Sequence, residues 1–130
     1  MFSIHSVSSD RELIFSNRKE EYFFVELKSS SLSASTEVWT GINSSLHTFF
    51  QKLANFKTPW KDEQVWEAFE GEFKISATCT TVGHVIFWIK LSGSPGGAEE
   101  WKAETGLETE LGQLERIAKN ANIFFKRTSA

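Results

Sequence analysis

Apolar and polar residues alternate through the first part of the chain, which is the pattern of β-strands with one buried face. In the stretch "SLSASTEVW", residues Leu32, Ala34, Thr36 and Val38 share one face. Three earlier stretches have similar composition and are separated by polar turns: "FSIHSV" (2–7), "ELIFS" (12–16) and "EYFFVEL" (21–27). We therefore predict a meander of short strands over residues 1–40.

The spacing of apolar residues becomes helical after residue 43. One amphipathic stripe at i, i+3, i+4 and i+7 is formed by Leu46, Phe49, Phe50 and Leu53. This spacing predicts a helix over about residues 44–55, with Asn43 or Ser44 as its cap. Pro59 cannot continue the helix, because proline has no main-chain N–H. His47 lies off the apolar stripe, so we expect it to face solvent.

A β-hairpin is predicted over about residues 72–92. Its two strands alternate apolar and polar residues, and the apolar positions are Phe73, Ile75, Ala77 and Cys79, then Val85, Phe87, Ile89 and Leu91. Gly83 lies in the connecting turn, where glycine adopts a positive φ without strain. The preceding stretch "QVWEAFEGEF" is ambiguous between a helical turn and a strand.

A long strand over about residues 99–111 and a C-terminal helix over about 113–126 complete the prediction. The helical stripe consists of Leu114, Ile117, Ala118, Ala121 and Phe124. With both helices packed on the strands, we predict one α+β domain spanning residues 1–130. Its expected architecture is an antiparallel sheet of about six or seven strands.

Composition and length fit a globular domain with an aromatic core. The 130 residues are 40% hydrophobic and include 12 Phe and 5 Trp. No apolar run is long enough to span a membrane, and the N-terminal stretch lacks the pattern of a signal peptide. The single cysteine, Cys79, cannot form a disulfide within the chain. We expect a cytoplasmic protein without a membrane partner.

Negative charge is concentrated in two segments, although the net charge is only −3. Residues 62–72 contain five acidic side chains and no basic one, and residues 98–115 contain six glutamates against Lys102. Nucleic-acid binding requires a basic surface, so a nucleic-acid partner is not expected. Acidic segments of this kind either face solvent or attract a basic protein.

Cys79 and His84 lie close together in sequence, but their pattern does not favour a reactive pair. Cys79 continues the apolar face of its strand, whereas His84 occupies one of the polar positions of the next strand. Because the two residues point to opposite faces of the hairpin, we expect Cys79 to be a small buried apolar residue.

No pattern for catalysis or cofactor binding is present in the sequence. The three histidines are scattered, and no zinc-ligand spacing, nucleophile elbow or phosphate-binding loop occurs. The pairs Glu70/Glu72 and Glu104/Glu108 lie on polar faces, where both carboxylates stay ionised. We therefore predict a protein that is not an enzyme and has no metal site or cofactor.

Several aromatic residues are candidates for a binding surface. Ile86 and Trp88 lie on the face of their strand opposite to Phe87. This face is either covered by a helix or the N-terminal meander, or exposed as an aromatic patch suited to binding a protein. Trp60 and Trp66, which lie among acidic residues, are similar candidates.

The stretch "WEAFEGEFKISATCTTVGHVIFWIKL" and the later "LETELGQLERIAKNANIFF" carry a family resemblance. The chain resembles, over about residues 20–126, an uncharacterised family of small bacterial proteins that carries only a domain-of-unknown-function label. More distantly, it is similar to WapI-type immunity proteins of polymorphic toxin systems. The residues that carry the resemblance are Trp66, Gly71, Gly83, His84, Val85, Gly112, Gln113 and Leu114.

The resemblance implies an immunity protein that neutralises a cognate toxin by binding it through an acidic and aromatic surface. Candidate partner-binding residues are Glu67, Glu70, Glu72, Trp88, Glu100, Glu104 and Glu108. Two alternatives stay open. One is an interaction or assembly module that forms a homodimer through the Ile86/Trp88 face, and the other is a small-ligand binder with a pocket between sheet and helices.

Overall fold

A computed structural model describes residues 1–40 and 45–126. The predicted helix caps Asn43 and Ser44 lie outside the described residues. The described residues form strands β1 (Phe2–His5), β2 (Glu12–Ser16), β3 (Tyr22–Lys28), β4 (Ser33–Trp39), β5 (Gln64–Glu67), β6 (Phe73–Cys79), β7 (His84–Gly93) and β8 (Trp101–Glu110), and helices α1 (Leu46–Ala54) and α2 (Leu114–Lys126). A short 3-10 helix, Leu111–Gln113, leads into α2.

The strands form two antiparallel sheets, each a meander of consecutive strands. Sheet A has the order β1-β2-β3-β4, and sheet B has the order β5-β6-β7-β8. In sheet A, Phe15 lies opposite Val25, and in sheet B, Phe87 lies between Ala77 and Leu107. Alternation therefore places one apolar face on each sheet.

The apolar faces of both sheets and the stripes of both helices meet in one core. Phe15 is fully buried at its centre. Its ring centroid lies 5.0–6.4 Å from those of Phe2, Phe23, Phe50, Phe73, Phe124 and Phe125. Because these rings belong to both sheets and both helices, the phenylalanine cluster joins all four parts of the fold.

The α+β class is confirmed, but the prediction of a single sheet of six or seven strands differs from the two four-stranded sheets observed. Each sheet has one apolar face, which is stable only when it is buried away from water. Helices of 9 and 13 residues are too short to cover a single sheet that combines all eight strands. Two separate sheets bury their apolar faces against each other and against the helices.

The segment that was ambiguous in sequence is resolved as a strand followed by a turn. Gln64–Glu67 is β5, which pairs with β6, and the chain then turns at Gly71, whose φ is +76°. Helix α1 begins at Leu46 and α2 begins at Leu114, and both bury their predicted stripes. Among the described residues, no helix has the length and apolar character needed to cross a membrane.

Gly93 at the end of β7 lies directly under the indole ring of Trp101 on β8. A Cβ atom at residue 93 would come within 2.4 Å of Trp101 Nε1, which is well inside van der Waals contact. Gly93→Ala should therefore displace the ring and lower the free energy of unfolding by about 1–3 kcal/mol. Denaturant unfolding together with tryptophan fluorescence would measure both effects.

Gly112 offers the matched control for Gly93→Ala. A Cβ at Gly112 would meet no atom within 4 Å, and its φ is not in the left-handed region. Gly112→Ala should leave stability unchanged or raise it by about 0.4–1 kcal/mol. Equal stability of the two variants would contradict the close packing of Trp101 on Gly93.

Candidate functional site

The face of sheet B that points away from the core holds a cluster of acidic and apolar side chains. Trp88 on β7 lies at its middle and is 47% exposed. Its strand neighbours are Ser76 on β6 and Gly106 on β8. The exposed Val65 on β5 lies in the same cross-strand row. We call this surface the outer face of sheet B.

The indole ring of Trp88 lies across the strands. Its Nε1 donates a hydrogen bond of 3.1 Å to Thr78 Oγ1 on β6. On the other side, its six-membered ring approaches Gly106, where a Cβ would lie 3.4 Å from Cζ3. A Cβ at this position would also lie 3.3 Å from Ile86 Cγ2. Gly106 thus leaves the space in which the ring lies flat on the sheet.

Carboxylates surround Trp88 on this face. Glu67 lies opposite Lys74, and Glu104 lies opposite Lys90, whose Nζ is 3.8 Å from Glu104 Oε1. Ser76 Oγ donates a hydrogen bond of 3.1 Å to Glu63 Oε2. Counting Glu63, the glutamates on this face outnumber the lysines: Glu63, Glu67, Glu104, Glu108 and Glu110 against Lys74, Lys90 and Lys102. The face therefore carries an excess of negative charge.

Glu108 is held in its charged state by hydrogen bonds at one end of the face. The pKa of Glu108 is lowered from its ordinary value of 4.5, first by a hydrogen bond from the Ser8 side chain and then by His84. His84 Nε2 lies 2.8 Å from Glu108 Oε1. A basic partner would thus meet a carboxylate that keeps its charge in mildly acidic solution.

A small hollow adjoins the Trp88 ring. It has a volume of about 240 Å³. Its lining includes the side chains of Glu63, Lys74 and Glu104 together with Ser76 and Trp88. Two carboxylates against the single charge of Lys74, beside an aromatic ring, form an environment that favours a cationic side chain.

The structure brings together some of the predicted partner-binding residues and separates others. Glu67, Trp88, Glu104 and Glu108 lie on the outer face of sheet B. The acidic surface and the Ile86/Trp88 surface, which the sequence left as separate possibilities, are therefore the same face. Glu63, Val65 and Gly106 also belong to it, although sequence reasoning did not select them. Once residues 64–67 are assigned as a strand, Val65 and Glu67 are expected on the same face, because alternate residues of a strand point to the same side.

The other three predicted glutamates have positions elsewhere. Glu70 is exposed in the turn between β5 and β6. Glu72 is half-buried, and its Oε2 accepts a hydrogen bond of 3.1 Å from the main-chain N–H of Trp39. Glu100 Oε1 accepts one of 3.0 Å from the main-chain N–H of Gly96. Glu72 thus joins the turn before β6 to β4, and Glu100 stabilises the loop before β8.

Two other aromatic candidates differ from the prediction. Trp60 is buried, and its Nε1 donates a hydrogen bond of 3.3 Å to the carbonyl oxygen of Ala77. Trp66 is half-buried, and its Nε1 donates one of 3.0 Å to Ser45 Oγ. Both rings pack against the core, because β5 turns Trp66 inward and Trp60 stacks on Phe56. They are not surface anchors.

Cys79 and His84 belong to different environments. Cys79 is half-buried against the core, and burial raises the pKa of its thiol above the ordinary value of 9.0. His84 instead contacts Glu108 on the outer face. A thiol with a raised pKa is a weak nucleophile at neutral pH. Within the described residues, no three His, Cys, Asp or Glu side chains are grouped for metal binding.

A second concave region lies at the edge of the core, between β1, the β2–β3 turn and α2. This cleft has a volume of about 860 Å³. Phe2 and Phe124 form an apolar part of its wall, and Arg18 and Lys19 contribute positive charge. Arg18 is held in place because its NH2 group donates a hydrogen bond of 3.0 Å to the carbonyl oxygen of Phe125.

His47 on α1 is half-buried, not solvent-facing as the helical pattern predicted. Burial, and then the positive charges of Lys126 and Arg18, lower the pKa of His47 below 6.5. The unfolded chain therefore binds a proton more readily than the folded protein, so stability should fall as the pH decreases from 6.5 toward the folded-state pKa. Urea unfolding at about pH 7.5 and about pH 5.5 would measure this loss.

His47→Gln is the control for this pH dependence, because glutamine does not titrate. The loss of stability between the two pH values should be smaller in the variant than in the parent protein. An equal loss in both proteins would show that the charge state of His47 does not control stability in this range.

The comparisons with known proteins identify one family. Residues 5–128 match the model of a family of unknown function, DUF6228. No curated protein matches the chain, and neither does any solved structure. The expected resemblance to an uncharacterised family is thus confirmed, while the more distant similarity to WapI-type immunity proteins stays a prediction. The matched range contains the whole outer face of sheet B.

Proposed function

The chain belongs to the family of unknown function DUF6228, and from this premise we propose that it is a non-catalytic binding protein of immunity type. In this proposal it acts in the cytoplasm and neutralises a cognate bacterial toxin by binding it directly. Neither a cofactor nor a reaction is needed, because the protein inhibits by covering the toxin.

The observation that carries the proposal is the exposed Trp88 within a ring of carboxylates. An indole that is 47% exposed, although its strand lies in the middle of a sheet, retains apolar area that a partner can bury. Tryptophan is enriched among residues that dominate binding energy at protein interfaces. The hydrogen bond to Thr78 holds the ring in one orientation before the partner arrives, which lowers the entropy cost of binding.

The glutamates around Trp88 support a basic partner. Charges at the rim of an interface accelerate association with an oppositely charged protein and discriminate against acidic ones. The predicted distant similarity to WapI-type immunity proteins is the reason for proposing a toxin as that partner. The bound protein would cover the toxin's basic surface and thereby block access to it.

The experiment that tests this function is neutralisation of the co-encoded protein. The protein encoded by the neighbouring reading frame would be produced in bacteria alone and together with this chain. We expect growth to stop in the first case and to continue in the second, with the two proteins purifying as a complex. If the neighbour is toxic and growth stops in both cases, the proposal is wrong.

A second function, binding of a small ligand, is favoured by the cleft beside α2. Its volume of about 860 Å³ is within the range of ligand pockets. The lining combines an apolar wall with Arg18 and Lys19, whose two positive charges outnumber the single negative charge of Glu20, and it therefore fits a small organic anion. Thermal-shift measurements with a set of carboxylates and phosphates would test it, and Arg18→Gln should abolish any shift.

A further inference from the structure

Strand β8 forms one edge of sheet B, and its main chain reveals which groups face outward. The N–H of Val7 donates a hydrogen bond of 2.9 Å to the carbonyl oxygen of Glu108. The N–H of Glu108 donates one of 3.2 Å to Ser6 Oγ. The main-chain groups of Glu108 therefore point away from β7, and the segment after β1 satisfies them.

The same geometry leaves the first half of this edge unpaired. Main-chain groups alternate in direction along an antiparallel strand, so those of Lys102, Glu104 and Gly106 point the same way as those of Glu108. Among the described residues, no hydrogen-bond partner is found for these outward N–H and C=O groups. Lys102 and Glu104 are exposed to solvent. An unpaired edge of this kind is a template for another strand.

The side chains along the edge restrict which strand can pair with it. Glu104 and Glu108 lie on the outer face on either side of Gly106, which has no side chain. A residue placed beside Gly106 would contact the exposed ring of Trp88, and a residue two positions away would lie beside Glu104. Because Ser6 and Val7 already occupy the edge beside Glu108, the paired part of the added strand ends at Gly106, and a basic side chain that follows it reaches the Glu108 carboxylate over the outer face. The matching sequence has an apolar residue between two basic residues, in alternating positions.

We propose that the partner adds an extended segment to sheet B along β8, with a basic, an apolar and a basic side chain on the outer face. The inference rests on the proposed function and specifies the kind of toxin segment that is bound. Main-chain hydrogen bonds to Lys102, Glu104 and Gly106 provide affinity, while Trp88 and the two glutamates provide selectivity.

Strand β4, which forms one edge of sheet A, lacks this combination of features. Because the N–H of Trp39 points outward to Glu72, the outward main-chain groups of β4 include those of Ser33, Ser35 and Glu37. The side chains along this edge include Ser33 and Ser35, whereas β8 has Glu104 and Glu108 on either side of Gly106, which lies beside Trp88. It therefore serves as a matched control for the contribution of the main chain.

A synthetic peptide with lysine and threonine alternating around one central valine would test strand addition. Amide hydrogen exchange of the protein would be followed with and without the peptide. We expect binding to slow exchange at Lys102, Glu104 and Gly106 by about tenfold or more. A peptide with the same sequence but N-methylated at alternate residues keeps the positive charges of its lysines and loses the main-chain N–H groups that donate hydrogen bonds to β8. It should bind at least about tenfold more weakly than the unmethylated peptide.

Glu104→Pro and Glu104→Gln separate the main-chain contribution from the charge. Proline removes the outward N–H without removing a bond to β7, and glutamine removes only the charge. We expect the proline variant to bind the peptide more weakly than the glutamine variant, while Ser35→Pro on β4 binds like the parent. Circular dichroism would verify that each variant is folded.

Three results would overturn strand addition: no binding of the peptide, equal binding of its N-methylated form, or a bound state without protection at the three amides. Protection already present in the free protein and lost on dilution would assign the edge to a second copy and would also overturn it. None of these results decides the proposed function, which depends on neutralisation of the toxin.

Discussion

Phe15→Ala should lower the free energy of unfolding by about 3–5 kcal/mol, the range for truncating a buried aromatic ring. Phe15 is fully buried, and its ring contacts rings from both sheets and both helices. Removing it leaves a cavity where four parts of the fold meet, and the stiff sheets can collapse into that cavity only in part. Denaturant-induced unfolding, followed by circular dichroism, would measure the change.

Phe69→Ala is the matched control, because it removes the same side chain from an exposed position. Phe69 is 72% exposed in the turn after β5. Its substitution should change the free energy of unfolding by about 0.5 kcal/mol or less. A similar cost for Phe15→Ala and Phe69→Ala would contradict a core centred on Phe15.

Trp88→Ala should weaken binding of the toxin by about 30- to 1,000-fold, equivalent to about 2–4 kcal/mol. The ring is the largest apolar group on the outer face of sheet B, and a partner that covers it removes the exposed half from water. Isothermal titration calorimetry with the purified toxin would measure the dissociation constant. In cells, the variant should no longer restore growth at low expression.

Tyr22→Ala is the control for Trp88→Ala. Tyr22 is an aromatic residue of sheet A that is 38% exposed. Its truncation should leave the dissociation constant within about twofold of the parent value, since scattered exposed aromatic residues contribute little to a distant interface. If Trp88→Ala binds as tightly as the parent while Tyr22→Ala does not, the interface lies on sheet A and the assignment to sheet B is wrong.

Much of the local structure follows from the periodicity of apolar residues. The stripe of Leu46, Phe49, Phe50 and Leu53 predicts the helix that is observed, because only an α-helix places these positions on one side. The alternation of Phe73, Ile75 and Ala77 predicts the buried face of β6 in the same way. Gly83 has a φ of +84° in the hairpin turn, as expected of glycine there.

The arrangement of the sheets could not be read from the same pattern. Alternation reveals which side of a strand is buried, but it does not reveal whether β4 and β5 pair with each other. The burial of Trp60 and Trp66 could not be predicted for a similar reason. An indole among acidic residues fits both a surface anchor and a core residue with one hydrogen bond to its N–H, and only the tertiary structure distinguishes them.

The candidate site was predictable in part. Parity alone places Ile86 and Trp88 on the side of β7 opposite to Phe87. It does not identify the neighbours of Trp88, because these depend on the register with β6 and β8. Glu100 shares the parity of Glu104 and Glu108, but it lies before the first residue of β8, and its carboxylate instead stabilises the loop that precedes the strand. Composition alone could not distinguish these glutamates.

The meander order of both sheets has a consequence for how quickly the chain reaches its native state. Every strand pairs with a strand that is adjacent in sequence, so each hairpin closes a short loop at a small entropic cost. The phenylalanine cluster, in contrast, unites residues from Phe2 to Phe125, which are distant in sequence. Hairpins should therefore form early, and the docking of two preformed meanders around Phe15 should limit the folding rate.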